Sequence, residues 1–168
     1  GSHIQKDYLE KATLNGVNFI NVSPLKSDLE AARNTEWLPL NPNTDVALML
    51  ALCYELNKAG MTNNVFMERY TVGFEKFIGY LNGSSDGVIK SADWASKITG
   101  VSKEVIFDLI EKIKKSERTM ISVSWSLTRQ SHGEQPYWAA IALASIIGDI
   151  GKPGGGIGFG YSAMNSIG

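Results

Sequence analysis

The chain has 168 residues, 43% hydrophobic and 20% charged, with 16 basic side chains against 17 acidic ones and a formal net charge of −1. That length builds one domain with a sizeable core. The charge balance excludes an electrostatic footprint for nucleic acid or an anionic membrane surface, so an anionic ligand has to be held by local geometry.

In chain order, Gly1-Ser2-His3 has the form of a purification-tag remnant, which leaves His132 as the one histidine of the body. No natural Met and no secretory n-region opens the chain, so localisation is not legible from the start. Ile4, Tyr8, Leu9 and Ala12 have helical spacing, closed by Asn15-Gly16. Residues 17–22 read as a buried strand stopped by Ser23-Pro24, residues 28–33 as a short helix, and residues 37–40 as an edge strand interrupted by Pro39. Asn43-Thr44-Asp45 is a helix start, and residues 46–59, apolar nearly all round, predict a deeply packed helix ended by Gly60. Cys53, the single cysteine, lies in that run, where it reads as a small buried hydrophobe; alone, it excludes an intrachain disulfide.

Two shorter helices follow over residues 64–70 and 74–81, then an exposed turn region over 82–87. Ser91 and Ser102 read as N-caps of the next two helices. Val105, Ile106, Leu109, Ile110 and Ile113 form one apolar face of the second, with Lys112, Lys114 and Lys115 towards its end, as the helix dipole favours. Residues 120–124 are a third strand, 125–135 a polar loop, and 136–147 a buried helix with proline in its first turn. Its apolar stretch over residues 137–147 is too short for the ~20 residues of a membrane span. The glycine-rich tail, residues 151–168, shows no clear period and is expected to be mobile from residue 154 on. Strand–helix alternation predicts an α/β fold: a Rossmann-like open, mostly parallel sheet flanked by helices. The apolar strands over 17–22 and 120–124 are expected in one sheet, and at least one further strand is expected beyond the chain.

The tail glycines do not spell G-x-G-x-x-G and follow a helix, which excludes a dinucleotide fingerprint; Gly151-Lys152 is followed by Pro153, which excludes a Walker loop. His132 with Glu134 is one histidine and one carboxylate, too few for a metal site. Trp125, Tyr137 and Trp138 read as core aromatics rather than stacking platforms. The more specific feature is a pair of strand-end loops, residues 23–27 and 42–45, placed where parallel sheets bind ligands. An acid there can accept from the N1–H and N2–H of guanine; Asp45 can equally cap its helix, and spacing alone favours the cap.

The tract Trp125-Ser-Leu-Thr-Arg-Gln-Ser-His-Gly-Glu-Gln135, with the apolar helix and Gly151-Lys-Pro-Gly-Gly-Gly-Ile-Gly-Phe-Gly160 after it, closely resembles the dimethyl sulfoxide reductase family of molybdopterin oxidoreductases. The nearest likeness is to its trimethylamine N-oxide and biotin sulfoxide reductases. Pro42-Asn-Thr-Asp45-Val-Ala-Leu, Trp94-Ala95 and Ile98-Thr-Gly100-Val101 fit too, so the resemblance runs from about Ile4 to Gly168. It implies a much longer enzyme that holds molybdenum between two molybdopterin guanine dinucleotides and reduces S-oxides or N-oxides by oxygen-atom transfer. This chain would be part of the domain gripping one dinucleotide: residues 4–150 that domain, residues 151–168 the tail leading on.

By the same resemblance Asp45 reads the guanine, and Asn21, Ser23, Pro24, Leu25 and Ser27 line the nucleotide. Ser23-Pro24 takes the family's usual Asp/Asn-Pro position, Leu25-Lys26 departs from an Arg-rich version, and Ser131 replaces a common histidine. Arg129, Gln130 and His132 would lie towards the pterin or the substrate funnel. The molybdenum ligand would be a serine of an upstream domain, so no catalytic residue is assigned here and the fragment alone is expected to be inactive. The partners implied are the remaining domains, an oxide substrate and an electron donor the sequence does not fix, in the bacterial cytoplasm or periplasm; neither nucleic acid nor membrane insertion is expected. The rival reading is a non-catalytic α/β nucleotide-binding or interaction module.

Overall fold

The structure, a computed structural model, describes residues 5–29 and 35–159. Helix α1 (Gln5–Leu14) ends at the Asn15-Gly16 turn and leads into β1 (Ile20–Val22). A 3-10 turn over Lys26–Leu29 follows; the helix expected over 28–33 lies mostly outside the described residues. Strand β2 (Glu36–Leu38) stops before Pro39, which has no N–H to extend a ladder. The two strands pair in parallel, Ile20 opposite Glu36 and Val22 opposite Leu38.

Helix α2 (Asp45–Lys58) is buried at every position from Ala47 to Cys53. A helix apolar all round has to be enclosed, and α4 (Phe74–Leu81), α5 (Ala92–Thr99), α6 (Lys103–Lys115) and α7 (Gln135–Ile147) pack around it. Helix α3 (Asn64–Tyr70) packs on α7. Ser91 and Ser102 cap α5 and α6 as predicted, accepting from the N–H groups of Trp94 and Val105; such caps contribute about 1 kcal/mol each. Burial pushes the Cys53 thiol far above its ordinary range, in keeping with a core hydrophobe.

Strand β3 (Met120–Val123) pairs in parallel with β4 (Gly156–Phe159), and α7 is the crossover packed on both. A fourth strand, not expected from the sequence, lies within the glycine-rich tail, where residues 156–159 are paired backbone; residues 160–168 lie outside the described residues. The buried Asp149 carboxylate fixes the start of the pair, accepting from the Thr119 N–H at 2.9 Å and the Lys152 ammonium at 3.1 Å.

The expectation that the strands at 20–22 and 120–123 share a sheet is corrected: among the described residues β1 pairs only with β2 and β3 only with β4. Both pairs rest on one helical core. Leu38, Leu56, Leu81, Ile106, Leu143 and Ile146 belong to a single cluster, with Ile20, Val22, Ile121, Val123 and Ile157 packed against it. Along β3, Met120 and Ser122 are exposed while Ile121 and Val123 are half-buried. Such a strand is covered on one face, and apolar character does not name its pairing partner. The α/β class with parallel strands flanked by helices stands.

Candidate functional site

Val22 and Leu38 are register partners, so the loops leaving β1 and β2 start from one edge of the pair. Residues 23–29 are folded by their own side chains. The buried Asn21 donates Nδ2–H to the carbonyls of Leu25 (3.1 Å) and Lys26 (3.2 Å). The buried Ser23 donates its hydroxyl to the Asp28 carboxylate and accepts the Leu25 N–H at 3.1 Å. That second bond is the turn an Asp or Asn side chain would form in its place. The Ser23 N–H extends the ladder to the Leu38 carbonyl (3.3 Å), and its carbonyl accepts the Trp37 indole N–H at 2.9 Å. Asn21 and Ser23 are thus the internal frame of the loop, and Pro24, Leu25 and Ser27 its exposed surface. The sequence does not single out Asp28 or Trp37, because their partners appear only once the loop is closed.

The second loop, between β2 and α2, is tied at both ends. Asn41 donates its backbone N–H to Thr99 (2.9 Å) and its Nδ2–H to the Ile98 carbonyl (3.1 Å), both at the C-terminus of α5, and its own carbonyl accepts the Thr44 hydroxyl at 2.7 Å. Thr44 is therefore committed backwards and makes no side-chain cap on α2. Asn43 takes the left-handed turn conformation, φ 65°, which Asn tolerates better than most residues. Asp45 is the first helical residue of α2, half-buried. Among the described residues no side chain hydrogen-bonds or ion-pairs with its carboxylate. The capping position itself is Thr44, so Asp45 stands inside the helix as its first residue.

Burial holds the Asp45 carboxyl above its ordinary value of 3.8, partly offset by a hydrogen bond from its own backbone N–H. The sign follows from linkage: with the folded-state value raised, stability falls as pH rises from 3.8 to the raised value, and the deficit persists above it. Asp45→Asn is therefore expected to raise the thermal midpoint slightly at neutral pH, with the gain vanishing in acid. Melts at the two pH values check this; an Asn variant less stable than wild type at neutral pH contradicts it.

The second strand pair opens a site at its own carboxyl edge. After β3 the chain forms a 3-10 turn, Trp125–Thr128. The Trp125 ring stacks on Phe159 at the end of β4 (centroids 5.9 Å), and Tyr137 meets Phe159 edge-on (5.1 Å) while its hydroxyl donates to the Ser124 carbonyl at 2.8 Å. Tyr137 and Phe159 wall an open cleft of about 570 Å³ that Thr128, Gln130, His132 and Trp138 also line. Of the three aromatics expected in the core, Trp125 and Trp138 are exposed and Tyr137 is half-buried, and Phe159 beside them is exposed. Gln130 and His132 line the cleft, while Arg129 ends the 3-10 turn as an exposed residue. His132 Nδ1 lies 3.8 Å from the Glu134 carboxylate, and among the described residues no three His, Cys, Asp or Glu side chains cluster as a metal site would require.

Two parallel strand pairs on one helical core, each with a built loop at its carboxyl edge, define an α/β domain. The family model for molybdopterin oxidoreductases matches residues 1–166, and the chain belongs to that family. It is 47% identical over 168 residues to a biotin sulfoxide reductase of Cereibacter sphaeroides, covering 100% of this chain and 22% of that protein. A trimethylamine-N-oxide reductase of Haemophilus influenzae is 42% identical over 159 residues (95% of this chain, 19% of that protein). A dimethyl sulfoxide/trimethylamine N-oxide reductase of Rhodobacter capsulatus is 39% identical over 153 residues (91% and 18%). The chain thus spans about a fifth of the length of these relatives. Acetylene hydratase from Pelobacter acetylenicus shares the fold, with a TM-score of 0.73 over 89% of this chain and 20% of that one at 23% identity.

Proposed function

We propose that this chain is part of the domain that grips one molybdopterin guanine dinucleotide in a longer molybdenum oxidoreductase acting on S-oxides or N-oxides. Biotin sulfoxide, trimethylamine N-oxide and dimethyl sulfoxide are the substrates named by its relatives. The observation that carries the dinucleotide reading is Asp45. A desolvated carboxylate with no hydrogen-bonding side chain on it among the described residues, at the first turn of a buried helix and beside a loop framed by Asn21 and Ser23, is an acceptor still to be used. Guanine alone among the common bases offers it two adjacent donors, N1–H and N2–H. The residues present therefore fit the nucleotide.

In this reading Asp45 orients the base, Asn21 and Ser23 hold the loop in shape, and Pro24, Leu25 and Ser27 offer it as a surface. Molybdenum supplies two-electron oxygen-atom transfer when bound; this chain supplies grip and orientation, and none of its residues is assigned a catalytic role. Residues 4–150 form the gripping unit and the tail leads on to further domains, which with the oxide substrate are the partners.

The test is the molybdenum and guanine-nucleotide content of the purified full-length protein at equal folded fraction. Hydrogen bonds to a charged acceptor contribute ~1.5–3 kcal/mol each, so Asp45→Ala is expected to lower affinity for the dinucleotide tenfold or more. Asp45→Asn should lose it as well, because its amide confronts the donors of guanine, whereas a mere helix start tolerates Asn. Normal loading of Asp45→Asn would refute the base-reading role.

A further inference from the structure

We propose that Asn41 is a positioning residue for nucleobase selection: it clasps the β2–α2 loop to the end of α5 and so sets where the Asp45 carboxylate stands. The inference rests on the guanine reading above and adds a residue to it. Asn41 joins two stretches of chain that sequence keeps 57 residues apart. Its backbone N–H and its carboxamide both donate to the last turn of α5, at Thr99 and Ile98. Its carbonyl accepts the Thr44 hydroxyl, and Thr44 is the residue before Asp45.

The α5 side of the clasp is itself fixed from within. The Thr99 side chain is fully buried, its hydroxyl donating to the Ala95 carbonyl (2.8 Å) and accepting the Val101 N–H (3.1 Å). Gly100 turns the chain in the left-handed region, φ 75°, and a Cβ there would stand 3.1 Å from the Asn41 carboxamide. Backbone of this shape at the end of a helix needs glycine, and here the glycine also leaves the space that the Asn41 side chain fills. The Pro42-Asn-Thr-Asp45 and Ile98-Thr-Gly100 motifs are thus two halves of one joint. No other described contact holds the carboxylate, so its position relative to a base follows from where the loop is pinned. Two adjacent donors demand closer placement than one, so the clasp sets selectivity.

The test compares GDP with IDP, which lacks only the 2-amino group of guanine, as ligands of the apo full-length protein by calorimetric titration. A carboxylate placed for both donors favours GDP about tenfold, the value of one lost hydrogen bond to a charged group. Asn41→Ala is expected to reduce that preference to twofold or less. Asn41 is exposed, and its replacement leaves the core intact. If that variant fails to fold, Asn41→Asp carries the same test, keeping the shape and losing the amide donor. A merely structural Asn41 would lower the thermal midpoint and leave the GDP-over-IDP ratio at its wild-type value, and that result overturns the proposal. Asp45→Asn separates the two claims. If it abolishes the preference while Asn41→Ala does not, the base reading stands and the clasp falls. If wild type shows no preference at all, the base reading falls and takes the clasp with it.

Discussion

Replacing Lys90 by methionine is expected to destabilise the chain by about 2 kcal/mol, and replacing it by alanine by about 4 kcal/mol. Lys90 is 2% exposed, the largest fully buried side chain among the described residues. Its ammonium donates to both Asp86 oxygens (2.9 and 2.7 Å) and to the Val88 carbonyl (2.6 Å), and it lies 4.4 Å from the Tyr80 ring centroid and 5.6 Å from that of Trp94. The ion pair is the smaller part of the effect: the Asp86 side chain is 41% exposed and water screens it. Desolvated cation–π contacts and the aliphatic stem carry more, and methionine keeps only the stem. In a chain of this size each kcal/mol moves the midpoint by about 2–4 °C, so melts resolve the two variants. The Lys90 hydrogen bond, with the Val88 N–H second, holds the Asp86 carboxyl below the usual range. That contribution is present above its ordinary value and lost as pH falls through the lowered one. The gap between wild type and Lys90→Met should therefore narrow in acid. A methionine variant as stable as wild type at neutral pH would show that the cage contributes nothing.

The helices were legible because their ends carry chemical marks. Ser91, Ser102 and Gly100 stand where capping geometry requires them, and the all-apolar run at 46–59 leaves only a central position for α2. The strands were less so. Glycines at 156 and 158 erase the alternation that marks β4, and without β4 the partner of β3 could not be named. Strand β1 is shorter than its apolar run because Val17 and Asn18 are exposed on the way in. At the proposed site, the start of α2 at Asp45 was legible from its motif. That Thr44 makes no side-chain cap was not, because its hydroxyl turns back to Asn41. The contacts of Trp37 with Ser23 and of Asn41 with Ile98 exist only in three dimensions. Local rules thus recover elements and single residues, while the joints between loops need the fold.

Gly133→Ala is expected to destabilise the chain by about 2–3 kcal/mol and to dismantle the aromatic cleft. Gly133 is buried, and a Cβ added there would stand 2.3 Å from the Thr128 carbonyl oxygen, 2.7 Å from its carbon and 2.8 Å from its Cα. All three atoms are backbone, so no side chain can swing aside. One of the two packed segments has to move. Helix α7 is anchored through the buried Pro136, Ala139, Ala140 and Leu143, which leaves the 3-10 turn Trp125–Thr128 to give way. Moving it draws Trp125 off Phe159 and loosens the bond from Tyr137 to the Ser124 carbonyl. The variant should therefore lose near-ultraviolet circular dichroism from the aromatic cluster while keeping its helical far-ultraviolet signal. Gly79→Ala is the matched control. Gly79 lies inside α4, and its added methyl would meet only the Ser84 side chain, at 3.8 Å. In a helix interior with that room, alanine is favoured over glycine by roughly 0.5–1 kcal/mol, so the same substitution should raise the midpoint. If both variants melt at the wild-type temperature with unchanged aromatic signals, the close contact between the turn and the start of α7 is not a feature of the folded protein.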